Sequence, residues 1–257
     1  MNLKTRITGR AQRQGQLRFS ATYIVTYISV LFCVALAIGC NATTQRQNML
    51  GKAAFERGDN SQAINAFQQA LNRDPKNADA YYNLAAVYYQ LGVKNQNKQF
   101  IAQSEQLYRQ AIANNDKHID AHRGLSALLV ETGREKHAFD LLEGWRQRYP
   151  QSAEPLVEVA RLYQEYGDNR RATDLLADAL RNDSRNVRAL KAMGHVREVQ
   201  GENQLALENY LRAIQVNGAD QNTAARVAYL QSQISSSGQV GTSTPPRYGA
   251  AAPYQRR

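Results

Sequence analysis

Five glycines, Gly58, Gly92, Gly133, Gly167 and Gly201, follow one another at intervals of 34, 41, 34 and 34 residues. A near-constant period of this length marks a chain built from repeated units, and it narrows the possible folds more than any compositional figure does. Other ladders run in the same phase. Ala63, Ser104, Ala138, Ala172 and Ala206 form a small-residue ladder, and Phe67, Tyr108, Leu142, Leu176 and Tyr210 a bulky one. Ala70, Ala111, Trp145, Ala179 and Ala213 follow, and Leu50, Leu84, Leu125, Val159 and Met193 stand upstream of each glycine.

Each unit reads as two helices. Tyr81, Leu84, Tyr88 and Leu91 recur at spacings of three and four, which predicts an amphipathic helix over about 79–91 that Gly92 ends. A second helix carries its small and bulky positions on one face, as in Ala63, Ile64, Phe67, Ala70 and Leu71. Pro75 and Pro150 close two units, and Asp116, Ser184 and Gly218 take that place in the others. A hairpin of this kind cannot cover its own apolar face and has to stack on the next.

Residues 44–218, with these ladders, resemble five tetratricopeptide repeats. The resemblance implies an all-α, right-handed superhelical solenoid of about five helix hairpins. The repeats fall at about 44–77, 78–118, 119–152, 153–186 and 187–220. A capping helix over 221–234, with Ala224, Val227, Leu230 and Ile234 as its stripe, completes the solenoid, and 235–257 read as a disordered tail. The 41-residue interval holds a seven-residue insertion between Gly92 and Ser104. It either lengthens the second helix of that unit, which then projects about 10 Å beyond its neighbours, or forms a longer polar loop. Trp145 stands on a rung where alanine is usual; the expectation is that it packs inward, with Gly124 and Gly144 relieving the crowding.

The N-terminal segment addresses localisation. Residues 1–18 hold Lys4, Arg6, Arg10, Arg13 and Arg18 and no acidic residue, and Phe19–Gly39 carries no charge. A basic start before an apolar run is a secretory signal or a membrane anchor. Ala37-Ile38-Gly39-Cys40 resembles the bacterial lipoprotein cleavage box, although Leu36 stands one place earlier than that box has its leucine. The resemblance implies lipid on Cys40 and loss of residues 1–39. An uncleaved transmembrane helix within 19–40 and a cleaved signal without lipid are the alternatives. All three place the repeats outside the cytosol, at a membrane of a bacterial envelope.

Charge and cysteine content exclude other classes. Of the net +10, residues 1–18 carry five charges and residues 235–257 three, leaving about +2 on the repeats, so no nucleic-acid partner is expected. Cys33 and Cys40 both precede the repeats, so these hold neither a disulfide framework nor a thiolate metal site. Asp116, His118, Asp120 and His122 could gather a metal in principle. His122, however, takes an inward rung filled elsewhere by Tyr81, Leu156 and Leu190, and reads as core. No phosphate-cradling glycine motif or nucleophile elbow is present. Neither enzyme activity, cofactor nor metal is expected.

Binding remains. The tetratricopeptide resemblance implies a concave groove lined by the first helix of each unit, and a protein or peptide partner within it. Its positions here are Asn48, Lys52 and Phe55; Tyr82, Asn83 and Tyr89; Arg123; Arg161; and Arg188 and Lys191. Tyr82 and Tyr89, seven residues apart, are expected to be exposed anchors, with Arg123 at the matching place in the next unit. Glu56, Asp79, Asp120, Glu154, Glu165 and Glu198 share that surface, so it favours no acidic peptide end. The expected function is an exported, membrane-anchored scaffold, assisting assembly of a pilus or secretion complex by analogy of architecture. The alternative is an envelope structural or cell-wall-associated protein without a discrete peptide ligand. Oligomeric state is left open.

Overall fold

The computed structural model describes residues 43–236; Cys40, the basic and apolar segments before it, and residues 237–257 lie outside the described residues. Every regular element among the described residues is an α-helix. In chain order they are α1 (residues 43–56), α2 (Asn60–Arg73), α3 (Ala78–Lys94), α4 (Lys98–Asn114), α5 (Ile119–Glu131) and α6 (Glu135–Arg148). Then come α7 (Ala153–Glu165), α8 (Asn169–Asn182), α9 (Val187–Val199), α10 (Asn203–Asn217) and α11 (Gln221–Ser236). The chain divides into two compact units, Met1–Val87 and Tyr88–Arg257, with the boundary inside α3.

One turn joins the two helices of every hairpin. The Gly58 N–H donates to the Phe55 carbonyl and the Asp59 N–H to the Ala54 carbonyl, both at 2.9 Å. Gly133 with Arg134, Gly167 with Asp168, and Gly201 with Glu202 repeat this pair of bonds. The turn is a left-handed helix stop, and each of these glycines sits at φ between 71° and 80°, where a Cβ would strain the backbone.

In the α3/α4 hairpin the same two bonds come from Gln96, to Val93 at 3.3 Å, and Asn97, to Gly92 at 2.8 Å. Gln96 is the residue at positive φ, 52°. Gly92 therefore does not end α3, as its spacing predicts, but lies inside it. A Cβ there would come within 2.6 Å of Ile101 Cδ1, so this glycine is required by close packing on α4. The insertion is shared between both helices. α3 and α4 have 17 residues each, against 13 and 14 in α5 and α6. The hairpin is extended at its turn by about 5 Å, and neither a lengthened second helix alone nor a long loop describes it.

Between hairpins a second turn recurs. The N–H groups of Asn77, His118, Ser152 and Asn186 donate to the carbonyls of Asp74, Asn115, Tyr149 and Asp183. Three of the four then cap the next helix, each side chain accepting from an N–H in its first turn: Asn77 from Ala80 at 2.8 Å, His118 from Ala121 at 3.1 Å, Asn186 from Ala189 at 2.9 Å.

In the first unit Gly51 of α1 faces the Phe67 ring of α2; a Cβ would meet its Cε1 at 2.5 Å. Ala54, Ala63, Ala66, Ala70 and Leu84 are buried with it. Leu50 departs from its ladder and is 49% exposed.

In the second unit the hairpins α5/α6, α7/α8 and α9/α10 stack in order, with α5 against α7 and α7 against α9. Gly194 of α9 faces Tyr210 of α10 at 3.0 Å from a built Cβ, whereas the equivalent pair in α7/α8 is Ala160 and Leu176. Glycine stands opposite an aromatic ring and alanine opposite leucine, which keeps the interhelix volume nearly constant. α11 closes the stack with Val227 and Leu230 against Ala206 and Tyr210. Thr223 is buried with them, and Ala224, placed on the stripe by sequence, is exposed. Trp145 is buried and stacks on His122, ring centroids 4.1 Å apart and 5° from parallel. The two glycines expected to make room for it do not: Gly124 accommodates Tyr108, and a Cβ on Gly144 would meet nothing.

Candidate partner-binding surface

In the first unit the predicted positions include two buried asparagines. Asn48 of α1 donates from Nδ2 to Asn77 Oδ1 at 3.1 Å. Its orientation is set because Asn77 Oδ1 is an acceptor, receiving the Ala80 N–H as well. The outcome is a buried Asn48 Oδ1 with no donor. Asn83 of α3 is also buried, and its Nδ2 has no acceptor. Leaving such a group unpaired costs about 1–3 kcal/mol, and both atoms are sealed from solvent beneath the helix surface. Lys52 is exposed, and Phe55 and Tyr82 are half-buried.

The second unit gathers three of the predicted arginines, but around a residue that the repeat pattern did not single out. Glu158 of α7 is 1% exposed. Arg123 of α5 reaches it from Nε and Nη2 at 2.7–3.2 Å. Arg161 of α7 donates from Nε at 3.2 Å, and Arg188 of α9 donates from Nη2. A buried carboxylate is tolerated only when paired and hydrogen-bonded, and three guanidinium groups do that here. An outer ring of acids holds the arginines in turn: Asp120 on Arg123 at 3.2 Å, Glu154 on Arg188 at 3.4 Å, and Glu165 on Arg161. The three arginine side chains stay between 26% and 34% exposed.

Lys191 pairs with Asp220, the residue that precedes α11 and accepts the Thr223 N–H at 3.0 Å. The Lys191 ammonium, and then the Thr223 amide and hydroxyl, hold the Asp220 carboxyl well below the usual carboxylate range. Tyr89 requires a correction. It is 3% exposed and its hydroxyl donates to Glu131, so it is part of the packed layer and not an exposed anchor.

His118 and His122 do not converge as ligands. His118 Nδ1 caps α5, while His122 Nε2 lies 3.0 Å from the Asp116 carbonyl oxygen. Burial pushes the His122 imidazole down to about 4, so it is neutral and its Nε2–H donates to that carbonyl. No group of three or more candidate metal ligands occurs among the described residues. No described helix is long and apolar enough to cross a membrane.

Residues 51–92 match a family model described as a TPR (tetratricopeptide) repeat. TTC0263, a thermophilic TPR protein of Thermus thermophilus, superimposes with a TM-score of 0.56 at 20% identity, covering 73% of this chain and 98% of that one. The fold is that of tetratricopeptide-repeat proteins. Pseudomonas aeruginosa PilF is similar at a TM-score of 0.50 and 20% identity, over 78% of this chain and 88% of that one. No curated protein matches the sequence. Against the tetratricopeptide register, Glu158 stands where the neighbouring units have Asn83, Gly124 and Ala192. An acid at a register otherwise uncharged was the sequence signal for it.

Proposed function

We propose that this tetratricopeptide chain is a non-enzymatic scaffold that takes an extended segment of a protein partner along the first helices of its hairpins. The observation that carries this reading is the side-chain set that the first helices α1 and α3 present in the first unit, the exposed Lys52 with the half-buried rings of Phe55 and Tyr82. Half-buried rings beside a cation offer apolar area and a charge to an extended segment, whose backbone supplies further donors and acceptors. The scaffold is exported and held at a bacterial envelope membrane, through lipid on Cys40 or through the uncharged segment before it. Assistance in assembling a pilus or secretion complex is the narrower role that this address and repeat architecture support together.

Site-specific crosslinking in cells, with the full chain and with Lys52→Ala/Phe55→Ala, tests the binding face. The double variant should lose the partner adduct seen with the parent, while the far-UV helical signal stays. An unchanged adduct pattern would remove these side chains from the binding surface. Metabolic labelling with a tagged fatty acid tests the anchor: label on the parent and none on Cys40→Ala is expected, and an unlabelled parent rejects lipidation.

A further inference from the structure

Among the described residues, one apolar side of the first hairpin is exposed. In later repeats the rung upstream of the turn is buried by the hairpin before it, as Met193 is by Ala160, Ala172, Leu176 and Ala179. Leu50 holds that rung on α1 and is 49% exposed, and Met49 beside it is 63% exposed. In the second unit the last hairpin has α11 as its cover. Arg46, Met49, Leu50 and Ala53 follow at spacings of three, one and three, which puts them on one side of α1. Arg57 follows just past the helix end, where its Nη2 donates to Gln62 Oε1 at 3.0 Å, and Arg46 stands exposed on the apolar side itself. Residues 43–57 carry Arg46, Lys52 and Arg57 against Glu56 alone.

We infer that this side of α1 rests on the headgroup layer of the phospholipid bilayer that anchors the chain. The inference depends on the export and anchoring reading above. Two observations select a bilayer over other occupants. The described part of α1 starts at residue 43, three residues after Cys40, and three residues span at most about 10 Å. A chain tethered at Cys40 therefore has this helix at the membrane surface. The side also combines an apolar pair with an exposed cation, the composition by which an amphipathic helix lies in an interface containing anionic lipid.

The test places a photoreactive benzophenone amino acid at Met49 in the full chain, bound to vesicles of phosphatidylethanolamine and phosphatidylglycerol. The same probe at Lys136, 89% exposed on α6, serves as the reference. The probe at 49 should give a phospholipid adduct by mass, at a yield at least about five-fold above that at 136. A crosslinked dimer, or a chain that floats with the vesicles yet yields no lipid adduct at 49, overturns the inference and leaves the anchor standing. A chain that does not float with the vesicles overturns the anchor, and this inference with it.

Discussion

Replacing Gln96 by glycine should stabilise the α3/α4 hairpin by about 0.5–1 kcal/mol. The left-handed conformation costs a residue with a Cβ roughly 1–2 kcal/mol, and a glycine gives back roughly 0.5–1 kcal/mol through its freer unfolded chain. Gln96 is the one non-glycine at positive φ among the described residues, in a turn whose two hydrogen bonds match those after α1, α5, α7 and α9. The reciprocal change, Gly58→Gln, should cost a similar amount, because a Cβ on Gly58 meets no atom within 4 Å and only the backbone pays. Gly92→Ala completes the set. Its Cβ would press on Ile101 Cδ1 at 2.6 Å and on the Ile101 backbone N at 3.0 Å, for a loss of about 1–3 kcal/mol.

Urea unfolding followed by far-UV circular dichroism measures all three, with the Gln96→Gly midpoint expected to rise. Stacked hairpins unfold with limited cooperativity, so amide exchange at Gln96 and Asn97 gives the local reading, and protection there should increase. A Gln96→Gly chain less stable than the parent would refute the turn assignment. So would a Gly92→Ala chain as stable as the parent, since it would mean that α3 and α4 are not in contact there.

Three further expectations follow from the packed groups. His122, neutral down to about pH 4 by burial, should make the fold lose up to about 3 kcal/mol between pH 6.5 and 4. The unfolded chain binds the proton in that window and the folded one does not, so stability falls with acid; His122→Phe should flatten the change in urea midpoint with pH. Glu158→Ala leaves three guanidinium groups without their shared acceptor and should cost about 2–3 kcal/mol in urea unfolding, more than Arg123→Ala, which leaves Arg161 and Arg188 on the carboxylate. Gly194→Ala should cost about 1–2 kcal/mol, and Tyr210→Leu in the same chain should recover part of it, reproducing the Ala160/Leu176 pair. Additive losses in that double-mutant cycle would show that the two residues do not share one space.

The hairpins were legible because their determinants are local and repeated. A small residue, a bulky residue and a turn residue recur at fixed offsets, and each does one steric job. Gly92 shows the limit of such a ladder. It falls one period after Gly58, yet the left-handed residue is Gln96, and the hairpin was lengthened without loss of phase further along. A spacing argument finds the glycine that looks periodic. Only the hydrogen-bond pattern, with Asn97 returning to Gly92, distinguishes the residue that turns from the residue that packs.

The binding surface was less legible, for a reason of charge and not of geometry. Repeat register does place Arg123, Arg161 and Arg188 on neighbouring first helices, and to that extent their grouping was visible. Register says nothing of what an arginine meets. Here all three turn to Glu158, with Asp120, Glu154 and Glu165 around them. A partner that engages these guanidinium groups must compete with carboxylates already in bonding distance, and it gains only what remains of that exchange. The half-buried rings of Phe55 and Tyr82 bind by covering apolar surface, which needs no such exchange. Affinity should therefore be concentrated on the first unit, with the arginines of the second acting to hold α5, α7 and α9 in line. Phe55→Ala should accordingly weaken partner capture more than Arg161→Ala, and Arg161→Ala should lower the urea midpoint.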